Sequence, residues 1–543
     1  MTTQVAVDEE TAPDRDTDTG PKTGLESESD TGGAARARWS RTVLLGVVLL
    51  CAACGLVYEL ALVTLGSYLL GNTATQASIV LSVMVFAMGV GSLLAKPLRR
   101  ASAEWFIAIE LILALLGGVS VLGLYLAFAF LSLYTPALVV TAFVLGALIG
   151  AEMPLLMELL QEIRKQRASD AVAELFATDY VGALIGGLAF PFLLLPFLGQ
   201  IRGALVVGIV NALAAAIVAF VLLRNRLTRR TKTVVALATT LVVALLVTAL
   251  ATAGQIEASA RQTLYRDPIV HSERSAYQDI VVTESRGTPN DVRLFLNGDL
   301  QFSSTDEYRY HESLVHPAMS GARGSVLVLG GGDGLALREV LRYPDVKNVT
   351  LVELDPAMIE LASTMPEIRE LNADAFTDPR VNVVNADAFT WLRTHEASYD
   401  AIIVDMPDPD QTETAKLYSV EFYTLVRAHL SPGGLATVQS GSPYFAPQSF
   451  WCISATLIES GLSVTPYQVD VPSFGNWGFH LVSTSGTPPV LSMDPPVKPR
   501  FLTDQLLASA VSFPADRPPL SMPYSTLIEP VILEYAQAEW VNY

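Results

Sequence analysis

The chain has few of the residues that form covalent cross-links or metal sites. Its 543 residues include three cysteines and six histidines. Three cysteines exclude a disulfide framework. Cys51 and Cys54 are spaced as CxxC, but they lie inside an apolar run, where we interpret them as small buried hydrophobic residues rather than a redox pair. The histidines form no HxxxH or HExxH pattern, so we expect no metal site.

Basic residues are scarce relative to acidic ones. Lys and Arg number 35 against 54 Asp and Glu, which gives a formal net charge of −19. This balance argues against a nucleic-acid partner, which would need a basic surface, and it suits a cationic substrate. Charged residues make up only 16% of the chain, whereas hydrophobic residues make up 51%. Together these features indicate a membrane part joined to an acidic soluble part, in two or three domains.

Aromatic residues are missing from the first 38 positions, which are rich in Asp, Glu, Thr and Gly. We expect residues 1–38 to be a disordered acidic tail. Residues 39–254 are predicted to be a polytopic transmembrane domain, because they contain seven apolar stretches that each reach the roughly 20 residues needed to cross a bilayer. The stretches cover about residues 42–69, 76–95, 105–131, 137–160, 176–197, 203–223 and 233–253.

Arginine and lysine cluster in alternate loops between these stretches. Basic groups precede the first stretch and follow the second, fourth and sixth, so the positive-inside rule places these loops in the cytoplasm. Seven full crossings would then leave the C-terminal half outside. Alternatively, the stretch that holds Pro191 and Pro196 is a broken or re-entrant pair. Glu59 and Asp179 lie within stretches, where they either have a functional role or hold helices together.

The composition becomes that of a soluble protein after about residue 254. The segments YQDIVVTES and DVRLFLNGDLQF predict a small antiparallel β subdomain over residues 255–320. Over residues 321–543, apolar runs such as SVLVLG, NVTLVELD and YDAIIVDMPDP alternate with helical patterns. This alternation predicts an α/β Rossmann-like domain of the class I methyltransferase type, with a parallel sheet covered by helices on both faces.

A glycine turn marks a candidate nucleoside site. In SVLVLGGGDG a strand leads into Gly330, Gly332 and Gly334, which permit a tight turn and close approach of a ligand to the backbone. Glu353 ends the next strand, where a carboxylate can accept hydrogen bonds from both ribose hydroxyls. Asp355 precedes a proline, and we interpret it as a helix N-cap.

A third acidic residue follows the next predicted strand. Asp387 in RVNVVNADAF either contacts the adenine or caps the following turn, and its position at a strand end favours the ligand. These features predict an adenosine-like ligand. They do not separate a methyltransferase from a dehydrogenase.

An acidic pair supplies the candidate reacting groups. Asp405 and Asp408 in DMPDP lie just past a buried strand, at the edge where open α/β sheets bind ligands. Two carboxylates facing one crevice attract a cationic amine, and one of them can accept its proton. A base is needed because a primary amine, with a pKa near ~10, is mostly protonated at neutral pH.

Several motifs in one order resemble the spermidine synthase (polyamine aminopropyltransferase) family. The resemblance covers about residues 265–543 and includes the Tyr277-Gln278 pair, LNGDLQF, DEYRYHE, LGGGDG, VELD, NADAF, DMPDP, LYSVEFY and VQSGSP. The multispan N-terminal half resembles that of the membrane-anchored bacterial members. The resemblance implies transfer of an aminopropyl group from decarboxylated S-adenosylmethionine to putrescine or a related amine. The products would be spermidine and methylthioadenosine, with no further cofactor.

The resemblance also implies roles for individual residues. Asp405 would be the general base, helped by Tyr310. The acceptor amine would be positioned by Asp408 and Gln278. The remaining implied contacts are Glu353 with the ribose, Asp387 near the adenine, and His311 and Gln439 lining the site.

Two positions bear on specificity. Asp333, inside the glycine turn, would pair with the ammonium of the aminopropyl arm and repel the carboxylate of ordinary S-adenosylmethionine. Phe474 stands in a shortened loop where the family usually has a tyrosine that helps to bind the amine, so the identity of the acceptor stays open.

Two other functions remain to be weighed. A membrane-tethered methyltransferase would share the sheet and Glu353 but would leave Asp333 and the acidic pair unexplained. An inactive polyamine sensor or transporter is the second alternative. The partners we expect are small-molecule substrates, the lipid bilayer and further copies of this chain, as is common in the family. A cytosolic nucleoside substrate favours a cytoplasmic catalytic domain on a multi-pass protein of the cell membrane.

Overall fold

The computed structural model describes residues 31–70, 73–131, 133–164, 168–224, 226–287, 290–496 and 498–540. Most of the predicted acidic tail therefore lies outside the described residues, and the first helix already begins at Thr31. The chain divides into two compact units. The first contains the residues up to Ala61, Val83–Ser120 and Thr141–Leu250, and the second contains Leu62–Ser82, Val121–Val140 and Ala251–Tyr543.

Each of the seven predicted apolar stretches lies in a helix. The helices are α1 Thr31–Leu70, α2 Thr73–Leu94, α3 Ser102–Leu126, α4 Tyr134–Arg164, α5 Ala168–Ala189, α6 Leu195–Ile217 and α7 Arg229–Thr263. Large apolar side chains are exposed on their outer faces, among them Phe192 at 70% and Phe197 at 79%. A helix that is apolar all round needs an apolar environment, which a bilayer provides.

Among the described residues, six helical segments are long and apolar enough to cross a membrane, because two of the seven stretches fall in one 51-residue segment, Val172–Leu222. This segment does not break at Pro191 or Pro196. A π-helical turn, Phe190–Leu194, accommodates Pro191, and the break comes at Gly199, with φ 70° and ψ −178°. The helix is therefore not broken within the stretch that holds these prolines, and the number of membrane crossings stays a prediction.

The chain reverses direction at Gly199. On one side of it, Gly186 packs against the backbone of Ala53 in α1. On the other side, the carbonyl of Val207 lies 3.9 Å from the Sγ of Cys54. Both arms thus lie beside the same turn of α1, so α5 and α6 are separate helices within the described residues.

Glycines let helices of the first unit pack closely. Gly182 and Gly186 of α5 meet Leu49 and Ala53 of α1 in increasing order, so these two helices are parallel. Arg41 and Glu174, near the beginnings of the same helices, form an ion pair.

Two further pairs of helices have the relative directions expected if successive helices run in opposite directions. Gly146 and Gly150 of α4 meet Met84 and Met88 of α2 in the same order, so α2 and α4 are parallel. Helices α3 and α6 are antiparallel, since Asn211 Nδ2 donates to the carbonyl of Glu110 and Gly208 packs on Ala114. Such close contacts through small residues are typical of membrane helix bundles.

The second unit contains two sheets. The first, in the order β1-β2-β3-β4, is antiparallel, as predicted for the β subdomain. The first strand of this sheet was not predicted. The β subdomain begins later than the predicted residue 255, because α7 continues to Thr263. The strands are β1 Ile269–Arg274, β2 Asp279–Ser285, β3 Asp291–Leu296 and β4 Asp299–Ser303.

The second sheet confirms the Rossmann-like prediction. Its order is β10-β11-β9-β8-β5-β6-β7, with β5 to β9 parallel and β11 and β10 antiparallel. Its central strands are buried on both faces, which is why they read as continuous apolar runs. The strands are β5 Ser325–Gly330, β6 Asn348–Glu353, β7 Val381–Asn385, β8 Tyr399–Asp405, β9 Leu430–Gln439, β10 Ser463–Val471 and β11 Gly475–Ser483.

The helices of the second unit cover this sheet and continue into the C-terminal segment. They are α8 Glu307–Val315, α9 Leu335–Leu341, α10 Pro356–Thr364, α11 Pro366–Leu371, α12 Ala388–Thr394, α13 Thr412–Ala415, α14 Val420–His429, α15 Pro447–Glu459, α16 Asp504–Ala510 and α17 Val531–Trp540.

Gly150 provides a test of the helix packing. An added Cβ at Gly150 would collide with the backbone of Met88, whereas no described atom lies within 4 Å of an added Cβ at Gly89. We expect Gly150→Ala to destabilise the detergent-solubilised protein by about 1–3 kcal/mol. Gly89→Ala should be neutral or stabilising by up to about 1 kcal/mol, because alanine has the higher helix propensity. Thermal unfolding followed by circular dichroism measures both, and equal melting temperatures would contradict the predicted α2–α4 contact.

Candidate active site

The predicted site residues meet at the carboxyl edge of the parallel sheet. Asp405 ends β8 and pairs in register with Gly330 at the end of β5. Glu353 ends β6, and Gln439 ends β9. Because these strands are parallel, their ends form one rim, which is where open α/β sheets bind ligands.

The glycine turn after β5 has a backbone that other residues could adopt only with strain. Gly330, Gly331 and Gly334 have φ values of 78°, 67° and 81°. Gly332 has a different reason to be glycine, since an added Cβ would lie 2.8 Å from Oε2 of Glu353. The turn therefore brings the backbone directly against the Glu353 carboxylate.

Glu353 is held by the backbone of the loop that follows it. Its Oε1 accepts a hydrogen bond from the N–H of Asp355 at 2.9 Å. Burial raises the pKa of Glu353 to about 7. The carboxyl group thus lies beside the glycine turn in the position predicted for a ribose ligand.

Asp355 is a helix N-cap, as predicted. Its Oδ1 accepts from the N–H of Ala357 at the start of α10. Its Oδ2 accepts from Ser275 Oγ at 2.6 Å and from Gln278 Nε2 at 2.9 Å. Gln278 therefore reaches the site from the β subdomain, with its amide nitrogen engaged by Asp355.

Asp387 also caps a helix. Its Oδ1 accepts from the N–H of Thr390 in α12, and its Oδ2 pairs with Lys416 Nζ at 2.7 Å. These partners outweigh partial burial and lower the pKa of Asp387. The capping interpretation is confirmed, and contact with an adenine stays a prediction.

Asp405 has a direct hydrogen-bond partner in Tyr310. The phenol of Tyr310 donates to Asp405 Oδ1 at 2.6 Å. Burial raises the pKa of Asp405 to about 6, although the charge of His311 and the Tyr310 hydrogen bond favour the ionised form. Burial and the adjacent Asp405 charge raise the pKa of Tyr310 well above 10, so the phenol stays protonated as a donor. Asp405 is thus an oriented carboxylate that can accept a proton near neutral pH.

Asp408 is held by Gln439. The Gln439 amide nitrogen donates to Asp408 Oδ1 and to the carbonyl of Met406, both at 2.8 Å. Its amide oxygen accepts from the N–H of Gly441. Burial raises the pKa of Asp408 to about 6. Gln439 therefore orients the second carboxylate of the acidic pair, a role that the sequence motif did not specify.

Asp333 and His311 lie close enough to Asp405 for their charges to shift its pKa. Asp333 Oδ1 accepts from the N–H of Leu335, which fixes the carboxylate in the turn. Burial raises the pKa of Asp333. His311 is buried, which lowers its pKa, but the hydrogen bond with Glu307 and the charge of Asp333 outweigh burial, so its pKa lies above the usual value.

A buried ion pair supports this group. Arg338 donates through both terminal nitrogens to the two carboxylate oxygens of Glu307 at 2.9 Å each. Glu307 in turn holds His311 Nδ1 at 3.0 Å. The motif DEYRYHE did not by itself indicate these contacts. The helical spacing of Glu307 and His311, four residues apart, is a local signal for their contact, whereas nothing local indicates the pairing of Glu307 with Arg338.

One triad among the described residues could hold a metal ion by geometry: Glu312, His316 and Glu339. Each has protein partners. Glu312 accepts from the backbone N–H groups of residues 500–502. His316 lies 3.3 Å from Glu339, and Glu339 also pairs with Arg338 and Arg342. This network ties the C-terminal segment to α8 and α9.

Phe474 lies in the turn between β10 and β11 and packs edge-on against Tyr310, with ring centroids 6.0 Å apart. It also contacts Trp477 at 5.1 Å. Phe474 therefore supports the ring of Tyr310, the hydrogen-bond partner of Asp405, through an apolar contact.

Similarity to known proteins extends through both halves of the chain. The spermine/spermidine synthase domain matches residues 307–494. Polyamine aminopropyltransferase 1 of Streptomyces coelicolor is 58% identical over 511 residues, which cover 93% of this chain and 96% of that protein. Polyamine aminopropyltransferase of Mycobacterium tuberculosis is 49% identical over 518 residues, covering 93% and 98%. A crystal structure of a spermidine synthase with the transition state analogue AdoDATO is 25% identical, covering 45% of this chain and 85% of that chain, with a TM-score of 0.42.

Proposed function

The chain belongs to the polyamine aminopropyltransferase family, and we propose that it moves the aminopropyl group of decarboxylated S-adenosylmethionine to putrescine or a related amine. The products are spermidine and methylthioadenosine. No cofactor is needed, because the decarboxylated nucleoside is a co-substrate. The observation that carries the assignment is the buried Asp405, which accepts the Tyr310 hydrogen bond at the rim of the glycine turn. A family relationship over the whole chain supports this transferase over the methyltransferase and sensor alternatives.

The chemical step needs a free amine. The lone pair of the amine nitrogen forms the new N–C bond while the C–S bond breaks, and sulfur keeps the electron pair of that bond as a neutral thioether. The proton lost by nitrogen passes to Asp405. With its pKa at about 6, Asp405 is mostly ionised at pH 7 and can accept it. Tyr310 keeps the carboxylate oriented towards the amine.

The two substrates are recognised by the acids on either side of Asp405. Asp333 pairs with the ammonium of the aminopropyl arm, and Glu353 accepts hydrogen bonds from the ribose hydroxyls. Asp387 lies near the adenine. Asp408, oriented by Gln439, and Gln278 position the acceptor amine, and His311 lines the site between the two substrates. Every polar contact to substrate thus comes from a carboxylate or an amide, which suits cationic ligands.

We propose further that the helices α1 to α7 are embedded in the cell membrane. Support comes from their length and apolar composition and from the apolar side chains on their outer faces. We also keep a homo-oligomer as a proposal, on the resemblance to the family alone.

An odd number of crossings would place the catalytic domain and the basic loops on opposite faces of the bilayer. The basic residues lie at three places. Arg41 lies within α1, at the beginning of its apolar part. Lys96, Arg99 and Arg100 lie between α2 and α3, and Arg229, Arg230 and Lys232 lie at the start of α7. The positive-inside rule favours the cytoplasm for them. The supply of a cytosolic nucleoside favours the cytoplasm for the catalytic domain, and this remains our proposal.

The assignment of the base predicts a pH profile. Purified wild-type protein should form spermidine, with kcat/KM falling below about pH 6 as Asp405 becomes protonated. Asp405→Asn should reduce turnover by about 10²–10⁴-fold while leaving nucleoside binding intact. Tyr310→Phe removes a donor to the ionised carboxylate, which raises the pKa of Asp405 and moves the acidic limb to higher pH.

Tyr399→Phe is the matched control. Tyr399 begins β8, about 20 Å along the strand from Asp405, and its removal should leave the acidic limb in place. An unshifted limb in Tyr310→Phe, or activity retained by Asp405→Asn, would show that another group is the base.

Asp333 predicts the choice of nucleoside. We expect the wild-type protein to bind decarboxylated S-adenosylmethionine more tightly than the carboxylated form. Asp333→Asn should reduce this preference for the decarboxylated form at least tenfold. The change removes both the attraction between Asp333 and the ammonium of the aminopropyl arm and the repulsion between Asp333 and the carboxylate of ordinary S-adenosylmethionine. Titration calorimetry measures both constants, with Glu370→Gln, an exposed change of equal charge, as control. Tighter binding of the carboxylated form by the wild type would favour the methyltransferase.

Reporter fusions test the membrane topology. Alkaline phosphatase, active outside the cytoplasm, and green fluorescent protein, active inside, are fused in turn after Tyr543 and into the loop before α7. We expect opposite answers from the two positions, with the C-terminus cytoplasmic. If both fusion positions report the same side of the membrane, α7 does not cross it, and the count of seven crossings is wrong. If the C-terminus is outside and the loop before α7 is in the cytoplasm, the seven crossings stand. Only the proposed cytoplasmic location of the catalytic domain is then wrong.

A further inference from the structure

A polar cluster lies inside the helical first unit, whereas the catalytic site belongs to the second. Its members are Cys51, Cys54 and Tyr58 of α1, Glu110 of α3, Glu152 of α4 and Asn211 of α6. All six side chains are buried. Glu110 is 0% exposed and Glu152 is 6% exposed. Because an ionisable group buried among apolar helices is costly, such a group marks a possible functional site.

Helical spacing places the three α1 residues on one face. Cys51, Cys54 and Tyr58 are separated by three and four positions. The ring of Tyr58 packs on α3, where an added Cβ at Gly117 would lie 2.7 Å from ring carbons. Seven positions earlier in the same two helices, Cys51 and Glu110 interact electrostatically. The same face of α1 therefore meets α3 at both levels.

Helices α4 and α6 complete the cluster. An added Cβ at Gly55 of α1 would lie 3.6 Å from Ile149 of α4, and Glu152 follows Ile149 by about one turn. The charge of Glu152 acts on both cysteines of α1. From α6, Asn211 Nδ2 donates to the main-chain carbonyl of Glu110 at 3.4 Å. Four helices thus bring these polar side chains together.

Five oxygen atoms of the cluster have no hydrogen-bond partner among the described residues. They are Oε1 and Oε2 of Glu110, Oε1 of Glu152, Oδ1 of Asn211 and the hydroxyl oxygen of Tyr58. The Cys51 thiol and the Asn211 amide lie close to Glu110, but neither has the geometry of a hydrogen bond to its carboxylate. Since a buried polar atom without a partner is destabilising, a ligand that contacts several of these oxygens would stabilise the unit.

The charge of the cluster points to a cation. Glu110 and Glu152 act on each other, and Asp179 of α5 adds a third acidic group near Glu152. No Lys or Arg of the described residues acts on either glutamate. Two carboxylates in apolar surroundings need a partner of opposite charge. Within the part of the chain that the structure describes, the protein does not supply it.

The atoms of the cluster favour a hard cation. Carboxylate, amide and hydroxyl oxygens are suitable ligands for alkali and alkaline-earth ions. Thiolates would instead favour zinc or copper. However, no three Cys, Asp or Glu side chains of this cluster have ligand atoms within 4.8 Å of one another, as judged from the described residues. The lack of histidine patterns in the sequence does not bear on a site made of oxygen ligands.

We propose that one alkali or alkaline-earth cation binds between Glu110 and Glu152, inside the helical first unit. Oδ1 of Asn211 and the hydroxyl oxygen of Tyr58 are its further ligands. The cation neutralises buried negative charge and joins α1, α3, α4 and α6 at one point, so the stability of the unit depends on it. This site is independent of the proposed transferase reaction, and its test needs no turnover.

Thermal unfolding of the detergent-solubilised full-length protein tests the site. The protein is freed of divalent ions by chelation and transferred to N-methylglucamine buffer, and NaCl, KCl, MgCl₂ or CaCl₂ is then titrated at constant ionic strength. One of these cations should raise the melting temperature of the wild type by about 3 °C or more, because it binds the folded state only. If none of the four cations shifts the melting temperature, the proposal is wrong.

Glu110→Gln tests whether the cluster is the site of binding. This variant should need at least a tenfold higher concentration of the same cation to reach half of the wild-type shift, because it loses one of the two charged ligands. A purely structural role of Glu110 would instead lower the melting temperature equally with and without the cation. That outcome would overturn the proposal.

Glu104→Gln is the matched control. Glu104 is exposed in the first turn of α3, so its replacement changes the charge of the same helix by the same amount. The variant should keep the cation dependence of the wild type. If it loses this dependence as fully as Glu110→Gln does, the cations act through general electrostatics and the cluster is not the site.

Tyr58→Phe provides a second test if Glu110→Gln does not fold. The change removes the hydroxyl oxygen and keeps the ring against Gly117. We expect the cation concentration at the half-maximal shift to rise at least threefold. An unchanged concentration would contradict the proposed set of ligands.

Two further titrations separate other ligands from a metal cation. If putrescine raises the melting temperature through Glu110 and no metal cation does, the cluster binds an amine and the proposal is wrong. If the melting temperature of the wild type responds to pH and to no metal cation, the cluster binds protons alone and the proposal is again wrong. Failure of aminopropyl transfer would not affect any of these measurements, so the two proposals can fail separately.

Discussion

Burial of carboxylates without enough positive charge is the constraint on which the catalytic half depends. Asp333, Glu353, Asp405 and Asp408 surround one rim of the sheet, where desolvation disfavours their ionised forms. Neutral donors hold them in place: a phenol for Asp405, an amide for Asp408, and backbone N–H groups for Asp333 and Glu353. Under the proposed function, the substrates supply the cations that satisfy these acids.

The supporting structure keeps other charges out of this rim. Arg338 is confined to Glu307 and Glu339, and Lys416 to Asp387. Arg261 is likewise confined to Asp279. Among the described residues, each of these three cations has a carboxylate of its own, although the charges of His311 and Arg338 still favour the ionised form of Asp333. Basic residues can therefore lie close to the proposed site for cationic substrates, because their charges are paired with other carboxylates.

The sequence predicted the parts of the fold that have local signals. Apolar runs predicted the long helices α1 to α7 and the central strands, and Asp-Pro predicted the cap at Asp355. Strand β1, with the polar segment HSER, gave no such signal, and Gly199 rather than a proline breaks the fifth apolar segment. The pair of Glu307 and Arg338 was missed because the two residues are distant in sequence, and only tertiary packing brings them together.

The raised pKa values of the rim acids couple substrate binding to proton exchange. Asp405 and Asp408 titrate at about 6 and Glu353 at about 7, so near neutral pH the free protein carries fractional protons at all three. A bound cation favours the ionised forms, so these protons leave for the solvent when the cation arrives. Apparent affinity therefore weakens as the surroundings acidify, even where the substrates' own charges are constant. The enzyme's occupancy thus follows local pH without any dedicated sensor residue.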